Sequence, residues 1–459
     1  MRVTLINPPP RGIIEHHDRL NRPHLGIACV AAYLRSHSVE CSIIDSKLEH
    51  IDLGQVMGRL EEIKPDIVGL TAMTHEIGIS AEIAEIVKKG MPNTITVSGG
   101  VHATVLPRDT LEQYPQFDFV VSGEGEHTFC ELVKCLMRND KNKRNPEDLI
   151  KIRGLGCRVN DSVMINNPRP FIDNLDELPL PAFDLFPKAK VYPIMAARGC
   201  PFQCIFCNRV LGNKLRKKSP AKVIEELEKC IYDFNANYIV FVDETFTIDK
   251  EYINQILDLI ISRGIDKKIK WRAETRVNTV DLPLLKKMKR AGCNHIDFGI
   301  ESGNEEILKI IKKGITKDQA VKAIEMAKKV GLKTSSFFIL GHPYETINSI
   351  KDTVNLAVKL NTTSTSFGIM TPYPGTDVYR MAKEGMSNYS IISEKWDDYN
   401  KQIGNALELK DLKRKDLERM QAYAYLKVYL YNFRIFSLLK ILFRDYRLIK
   451  TFLKKLLNS

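Results

Sequence analysis

The sequence predicts an α/β protein: an N-terminal doubly wound, Rossmann-like (flavodoxin-like) domain, a partial (β/α)6 TIM barrel, and a helical C-terminal tail. Three observations predict it. Short apolar runs alternate with longer amphipathic stretches along residues 1–150, the pattern of strands and helices in a parallel sheet. The alternation resumes from Tyr192 to about Arg380, after a Pro-rich interruption. A length of 459 residues, 44% hydrophobic and 27% charged, leaves room for two or three ordinary globular cores.

In the first half, strands are expected at Val3–Asn7, Glu40–Asp45, Asp66–Thr71, Thr94–Ser98 and Phe117–Val121. Helices are expected at Leu25–Leu34, Leu53–Ile63, Ile77–Lys89 and Glu126–Met137. Pro8-Pro9-Pro10 stops the first strand, because proline has no N–H for a ladder. Residues 151–190 read as a linker. Pro168, Pro170, Pro179 and Pro181 restrict the backbone there without building regular structure, and Asp173, Asp176 and Glu177 keep it solvated.

In the second half, residues 191–380, strands are expected at Tyr192–Ala197, Tyr238–Asp243, Lys270–Arg276, His295–Glu301, Lys333–Leu340 and Ser364–Met370. The intervening helices include Lys222–Phe234, Tyr252–Arg263, Ala320–Val330 and Ile347–Leu360. Six such units suit an open barrel better than a closed eight-stranded one. Residues 381–459 complete the chain as a loop-rich cap and a basic amphipathic tail.

Ligands gather at the carboxyl ends of strands in both architectures, so the residues standing there are informative. In the first half they are Pro8 and Pro9, then Thr71, Thr74 and His75, then Ser98-Gly99-Gly100 with His102, then Gly123 and Glu124. Small residues and glycines let the backbone approach a large flat or anionic ligand. A lone glycine pair would be ordinary turn chemistry; four such ends together say more.

The first strand of the second half runs into Cys200-Pro-Phe-Gln-Cys204-Ile-Phe206-Cys207. Three thiols in one short loop can turn inward onto a single metal centre, and soft thiolates suit zinc, Cu(I) or an iron–sulfur cluster. A closed site wants a fourth ligand. Only Cys230 and Cys293 follow within the next hundred residues, Cys230 on a helix and neither in a CxxC pair. Three ligands without a fourth point to a cluster with one iron left open; the alternative is three buried cysteines placed by chance. Cys293 and Trp271 read as core.

CxxxCxxC with an aromatic before its last cysteine resembles the signature of the radical S-adenosylmethionine (radical SAM) enzymes. The resemblance implies that Cys200, Cys204 and Cys207 hold a [4Fe–4S] cluster whose open iron chelates SAM, and that one electron cleaves SAM to a 5′-deoxyadenosyl radical. The opening Asn-Pro-Pro, the Pro23-His24-Leu25-Gly26-Ile27-Ala28 segment, Ser-Gly-Gly-x-His and Gly-Glu-Gly-Glu resemble the cobalamin-binding domain ahead of many radical SAM cores. It implies cobalamin contacts from Pro8, Pro9, Thr71, Thr74, Ser98, Gly99, Gly100, His102, Gly123 and Glu124. The Asp-x-His-x-x-Gly motif that supplies a cobalt ligand elsewhere is absent; His24, His75 and His102 lack its context. A plain flavodoxin-like docking domain is the alternative for this half.

The later strand ends of the second half carry Asp243-Glu244, Arg272, Glu274 and Arg276, Glu301-Ser302 and Gly341-His342. SAM presents an ammonium, a carboxylate and a ribose diol, for which acids and an arginine are complementary. The resemblance gives SAM contacts to Phe206, Asp243, Glu244, Arg276, Glu301, Ser302 and Gly341. Glu274 and Arg276 could instead pair with each other as scaffold, and Phe206 could anchor the loop rather than meet adenine.

The formal charge of +12 is uneven. Between Gln421 and Ser459 eight basic residues face Asp445 alone, interleaved with Tyr423, Tyr425, Tyr429, Tyr431, Phe433, Phe436, Phe443 and Phe452. The excess is therefore local, and nucleic acid is not the expected partner. The tail either packs on its own protein or lies on an anionic membrane surface. Ten cysteines without a paired framework, no signal peptide and no spanning run point to a reducing, cytoplasmic setting, membrane-peripheral if the tail binds lipid.

Three functions follow. The first is a cobalamin-dependent radical SAM enzyme that methylates an unactivated carbon of a small-molecule or lipid substrate, fed electrons by a flavodoxin or ferredoxin. The second uses the same cofactors, without the methyl transfer of the class B methyltransferases, for ring formation, rearrangement or lipid modification, as in relatives of the anaerobic Mg-protoporphyrin ester cyclase kind. The third is a non-catalytic cobalamin or Fe–S sensor. No residue is identifiable as a specific base.

Overall fold

The computed structural model describes residues 1–10, 21–138, 146–159, 162–400 and 405–432. The chain divides into two compact units: residues 1–201 with 209–240, and residues 202–208 with the chain from Phe241 onward.

The first unit is built on a seven-stranded sheet: β1 (Arg2–Asn7), β2 (Glu40–Asp45), β3 (Ile67–Thr71), β4 (Ile95–Gly99), β5 (Phe119–Val121), β6 (Leu155–Val159) and β7 (Ser162–Ile165), ordered 2-1-3-4-5-6-7. β1 to β5 are parallel, with Val3 opposite both Cys41 and Ile67. The order 2-1-3-4-5 is the flavodoxin-like one, reversing direction at β1, so the loops after β1 and β3 diverge around a crevice. Val3, Leu5 and Ile6 are all buried, because helices cover both faces of such a sheet and strict alternation is lost. The helices start where side chains satisfy their free N–H groups: Asp52 closes a capping box with Gln55, and the His24 imidazole accepts from Ile27.

Residues 151–190 are not wholly irregular. β6 and β7 form an antiparallel hairpin that extends the sheet beyond β5, with Phe119 opposite Cys157. Gly154 precedes this hairpin, and its apolar Leu155 and Cys157 are buried. The prolines that argued for a linker lie after the hairpin. The compact unit also runs past residue 190, through strand β8 (Val191–Ile194), the two-residue antiparallel pair β9 (Ala197–Arg198) and β10 (Arg216–Lys217), and strand β11 (Tyr238–Phe241).

In the second unit, β12 (Lys270–Thr275), β13 (Cys293–Glu301), β14 (Lys333–Leu340) and β15 (Ser364–Ile369) lie side by side in chain order, all parallel. With β8 and β11 they make the six strands expected of the second half. The connecting helices open on residues whose side chains take a backbone N–H: Asp249, Asp281, Asn304, Thr316 and Thr346. Trp271 and Cys293 are core residues, and Trp271 donates its indole N–H to Ala291 O at 2.7 Å. A hairpin, β16 (Tyr389–Ile391) with β17 (Leu407–Leu409), leads into helix Arg414–Tyr431. That helix packs on its own unit: Gln421 donates to Phe367 O at 2.7 Å, and the buried Tyr425 hydroxyl takes Phe367 N–H at 3.1 Å. This favours the self-packing alternative for residues 414–432. Phe433, Phe436, Phe443 and Phe452 lie outside the described residues.

Gly199 and Gly58 separate two uses of glycine. Gly199 has φ +94, and an added Cβ would stand 2.2 Å from Lys214 O. Gly58 lies inside helix Leu53–Ile63 with open space around it. Thermal or urea unfolding of Gly58→Ala should show stabilisation of about 0.5–1 kcal/mol, the usual helix-interior gain over glycine. Gly199→Ala should lower stability, since backbone atoms have to move.

Candidate functional site

The cysteine loop is held at both ends. At its start, Cys200 donates its backbone N–H to Gly212 O at 3.1 Å, just beyond the β9–β10 pair. Further along, in the second unit, Ile205 N–H bonds Ile311 O, Val378 N–H bonds Ile205 O, and Asn208 donates to Pro374 O at 2.8 Å. Cys204 is buried and Cys207 exposed, and Cys207 N–H bonds Cys204 O. The loop is therefore fixed mainly through its backbone.

Those thiols sit in a cationic setting. The Arg276 guanidinium carbon lies over the Phe202 ring, 3.7 Å from its centroid, and the group donates to Cys204 Sγ at 3.5 Å and to Lys313 O. The Cys204 thiol is held down to about 6 by its hydrogen bond with Cys207 and by the charges of Lys313 and Arg276, against the cost of burial. Cys230 and Cys293 are pushed the other way by burial, and are core thiols rather than a fourth ligand. Among the described residues no three His, Cys, Asp or Glu side chains converge as for a single metal ion. A cubane cluster does not ask for that, because each thiolate binds its own iron. An acidified Cys204 thiol hydrogen-bonded to Cys207, whose own thiol is pushed up by that bond and by burial, and flanked by two cations, fits an anionic thiolate-bound cluster.

The strand ends of the second unit divide into open and committed groups. Asp243 is buried and Glu244 exposed in the loop after β11. Glu301 ends β13 in left-handed backbone, φ +72, beside a register shift between Gly299 and Glu301. Its carboxylate takes the Lys313 ammonium at 2.8 Å, and both groups are buried. Burial works against the Lys313 charge, but Glu301 and Cys204 outweigh it and hold the ammonium above its ordinary range. Phe206 is half-buried, 5.9 Å from Lys313 Nζ and 6.1 Å from the His342 ring.

Two expected SAM contacts are spent on scaffold. The Ser302 hydroxyl is fully buried, bonded to Thr353 at 3.2 Å and accepting from Asn304 N–H. Gly341 is buried too: its N–H goes to Glu345 at 2.5 Å and its carbonyl accepts from the Tyr389 hydroxyl at 3.0 Å. Arg276 contacts Cys204, Lys313 and Asn278; no bond joins it to Glu274 among these.

Sequence reading missed Phe202, Lys313 and Glu345, and placed His342 at a strand end without a role. Lys313 stands in Lys312-Lys313-Gly314, which reads as a solvated turn, and only the fold turns one of its two lysines inward. Glu345 lies two residues beyond Pro343, where no motif marks it. Its buried carboxyl is pushed up to about 8, burial outweighing the N–H groups of Gly341 and His342. Burial likewise drives His342 down to about 4.

At the carboxyl edge of the first unit, Thr71, Gly99, Gly100 and Gly123 reach the surface, Gly100 and Gly123 fully. Gly100 has φ +88, and a Cβ there would strike Thr71 Oγ1 at 2.6 Å, so glycine alone fits between β3 and β4. Pro8, Pro9, Thr74 and Ser98 are buried behind this edge. His102 corrects the expectation. Helix Gly100–Val105 begins directly after β4 and turns His102 inward, where it is fully buried and its imidazole is lowered to about 4 by desolvation. A ring with no exposed face cannot meet a ligand at the edge. Glu124 is the second correction: its two oxygens accept from Arg198 at 2.8 Å, twice from Arg216 at 2.9 Å, and from Ile172 N–H at 2.7 Å. These occupy the roughly four acceptor positions of a carboxylate.

One chain carrying both a three-thiol loop and a flavodoxin-like sheet with a glycine-rich carboxyl edge defines an enzyme built for more than one cofactor. The family model of the radical SAM superfamily matches residues 194–357, and that of the B12 binding domain matches residues 19–133. An uncharacterized methyltransferase of Pyrococcus horikoshii is 37% identical over 440 residues, 94% of this chain and 93% of the relative. The anaerobic magnesium-protoporphyrin IX monomethyl ester cyclase of Cereibacter sphaeroides is 28% identical over 366 residues, covering 76% of this chain and 59% of that protein. The radical SAM methyltransferase TsrM of Kitasatospora setae, solved with cobalamin and a [4Fe–4S] cluster, matches the fold with a TM-score of 0.72 at 15% identity, over 94% of this chain and 88% of that one. The chain belongs to the radical SAM superfamily, in the branch with a B12 binding domain. It is a cobalamin-dependent radical SAM enzyme of the methyltransferase type, and its cofactors are a [4Fe–4S] cluster, SAM and cobalamin.

Two outcomes test this site. Replacing Cys200, Cys204 and Cys207 together with alanine should abolish both iron loading and 5′-deoxyadenosine formation, read by iron assay and chromatography. Glu345 is held neutral in the fold, with a pKa raised above its unfolded value of about 4.5. Its contribution to stability is therefore complete below about pH 4.5 and is lost as pH rises through about 8. Between those limits Glu345→Gln should lose less stability with rising pH than the parent protein, measured by urea unfolding at each pH.

Proposed function

We propose that this enzyme transfers a methyl group to an unactivated carbon of a small-molecule substrate. The observation that carries the reading is the presence of a thiolate cluster loop and a B12 binding domain in one chain, together with near full-length similarity to a protein described as a methyltransferase. When bound, the cluster and SAM supply a carbon-centred radical by one-electron cleavage, and cobalamin supplies a methyl carrier.

The chain's own residues would divide the work as follows. Cys200, Cys204 and Cys207 hold the cluster. Arg276, pinned over Phe202, orients and charges Cys204 rather than gripping the SAM carboxylate. Asp243, Glu244 and Glu301 offer carboxylates toward the SAM ammonium and diol, Glu301 with its orientation set by Lys313. Phe206 offers a ring face to adenine. Thr71, Gly99, Gly100 and Gly123 give cobalamin a close-approach edge, with Pro8, Pro9, Thr74 and Ser98 shaping it from beneath. A flavodoxin or ferredoxin is the reductant this chemistry calls for.

All ten cysteines are free thiols, which suits a reducing compartment. No helix among the described residues is long and apolar enough to cross a membrane, and the described part of the tail packs on its own strand. The packing of residues 414–432 on their own unit supports a cytoplasmic setting over a membrane-peripheral one.

Similarity to the ester cyclase supports a second reading, in which the same cofactors close a ring without methyl transfer. Methyl-deuterated SAM separates the two before any substrate is known. Incubated with the reduced, cobalamin-loaded protein, it should give deuteromethylcobalamin by mass spectrometry. If 5′-deoxyadenosine forms while the cobalamin never carries label, methylation is wrong and the second reading stands.

A further inference from the structure

One carboxylate of the first unit reaches from the cobalamin edge to the root of the cluster loop. Glu124 follows Gly123, whose exposed backbone has φ +78. Gly123 N–H is held by Thr104 Oγ1 at 3.0 Å, and the same hydroxyl donates to Gly100 O at 2.7 Å. Thr104 thus ties the glycine end of β4 to that of β5. Glu124 then turns inward and binds Arg198 and Arg216, which face each other across β9 and β10. Arg198 is followed by Gly199 and Cys200, so Arg198 stands at one end of the cluster loop and Arg216 just beyond the other.

The network is largely buried, with Arg216 Nε left without a hydrogen-bond partner among the described residues. Glu126 takes the second arm of Arg198 at 2.7 Å, and Arg216 also donates to Ile172 O and Leu211 O, both at 2.7 Å. Glu124, Glu126 and Arg216 are each less than a tenth exposed. Burial opposes the Arg198 charge, yet Glu126, Cys29 and Glu124 together hold that guanidinium more firmly protonated than in water. Two arginines against two glutamates balance in charge. A buried pair of this kind sets geometry more than it adds stability, and losing one partner strands a charge.

We propose that Glu124 is a positioning residue for the cluster loop, and that through Thr104 and Gly123 it transmits cobalamin occupancy to that loop. The inference rests on the reading that cobalamin binds the Gly100–Gly123 edge. A ligand that orders Gly100 and Gly123 fixes the backbone carrying Glu124, which fixes Arg198 and Arg216 and so the frame of Cys200. Because coupling between two sites is reciprocal, an ordered cluster loop also favours cobalamin.

The test is iron release. Full-length protein is reconstituted anaerobically with iron and sulfide, with and without hydroxocobalamin, desalted, and challenged with a ferrous chelator. Bound cobalamin is read from its visible absorption in the same sample. In the parent protein, bound cobalamin should slow iron release by about fivefold or more, the low end of ordinary allosteric coupling. In Glu124→Gln and in Thr104→Val that protection should fall toward nothing. Equal protection in all three proteins, or none in the parent while cobalamin is bound, overturns the proposal. Should Glu124→Gln fail to fold, judged by circular dichroism, Thr104→Val decides alone, since its hydroxyl lies outside the buried ion pairs. Failure of the parent to retain cobalamin overturns the underlying reading and this inference with it, and is distinguished from the other results by the absorption spectrum.

Discussion

The arrangement that the rest of the first unit depends on is the Glu124 carboxylate between Arg198 and Arg216. A two-residue strand pair such as β9 with β10 has too few ladder bonds to hold its own register. It is held by side chains, with each arginine gripped from the helix-start loop after β5. Removing one partner from such a pair leaves a buried charge, which typically costs about 3–5 kcal/mol. Arg198 lies two residues before Cys200, so the same network anchors the start of the cysteine loop, which Ile311, Val378 and Pro374 hold further along.

The second unit solves a related problem with a strained backbone. Glu301 occupies left-handed φ at the end of β13, a conformation that costs a non-glycine residue about 1–3 kcal/mol and persists only when its surroundings impose it. The surroundings do so here: Lys313 holds its carboxylate, and Gly299 leaves room where a Cβ would lie 2.6 Å from Glu301 Oε1. Strain at a strand end facing the cysteine loop is where a superfamily built on strand-end chemistry would place it.

What sequence made legible follows from what is periodic. Parallel strands such as Val3–Ile6 and the capped helices announce themselves by apolar pattern and by Asp or Thr at N-caps, and the three cysteines by spacing. Residues whose role depends on which way a short helix turns were not legible. His102 looked like an edge ligand because Ser-Gly-Gly-x-His reads as a strand end, yet the chain enters a helix at Gly100 and rotates the ring into the core. Glu124 looked like an edge acid because its arginines lie more than seventy residues away in sequence. Lys313 drew no notice, and Ser302 looked like an open hydroxyl, because neither Glu301's grip nor Thr353's reach is written locally.

The titratable groups around the cysteine loop explain why acid–base catalysis has no obvious agent here. His342 is buried and driven far below neutrality, so it holds no proton to give. Lys313 is locked as a cation against Glu301, and the Arg276 guanidinium offers only donors, committed to Cys204 and to Lys313 O. Glu345, whose carboxyl does titrate near neutrality, spends one oxygen on the N–H groups of Gly341 and His342 beneath the surface. General acid–base work needs a group that is both poised and within reach of substrate, and none of these four is both. What the chain provides instead is fixed charge: two cations against the cysteine loop and a carboxylate aimed by one of them. That is the environment wanted by chemistry whose difficult step moves an electron rather than a proton, and whose reactive atoms belong to bound cofactors.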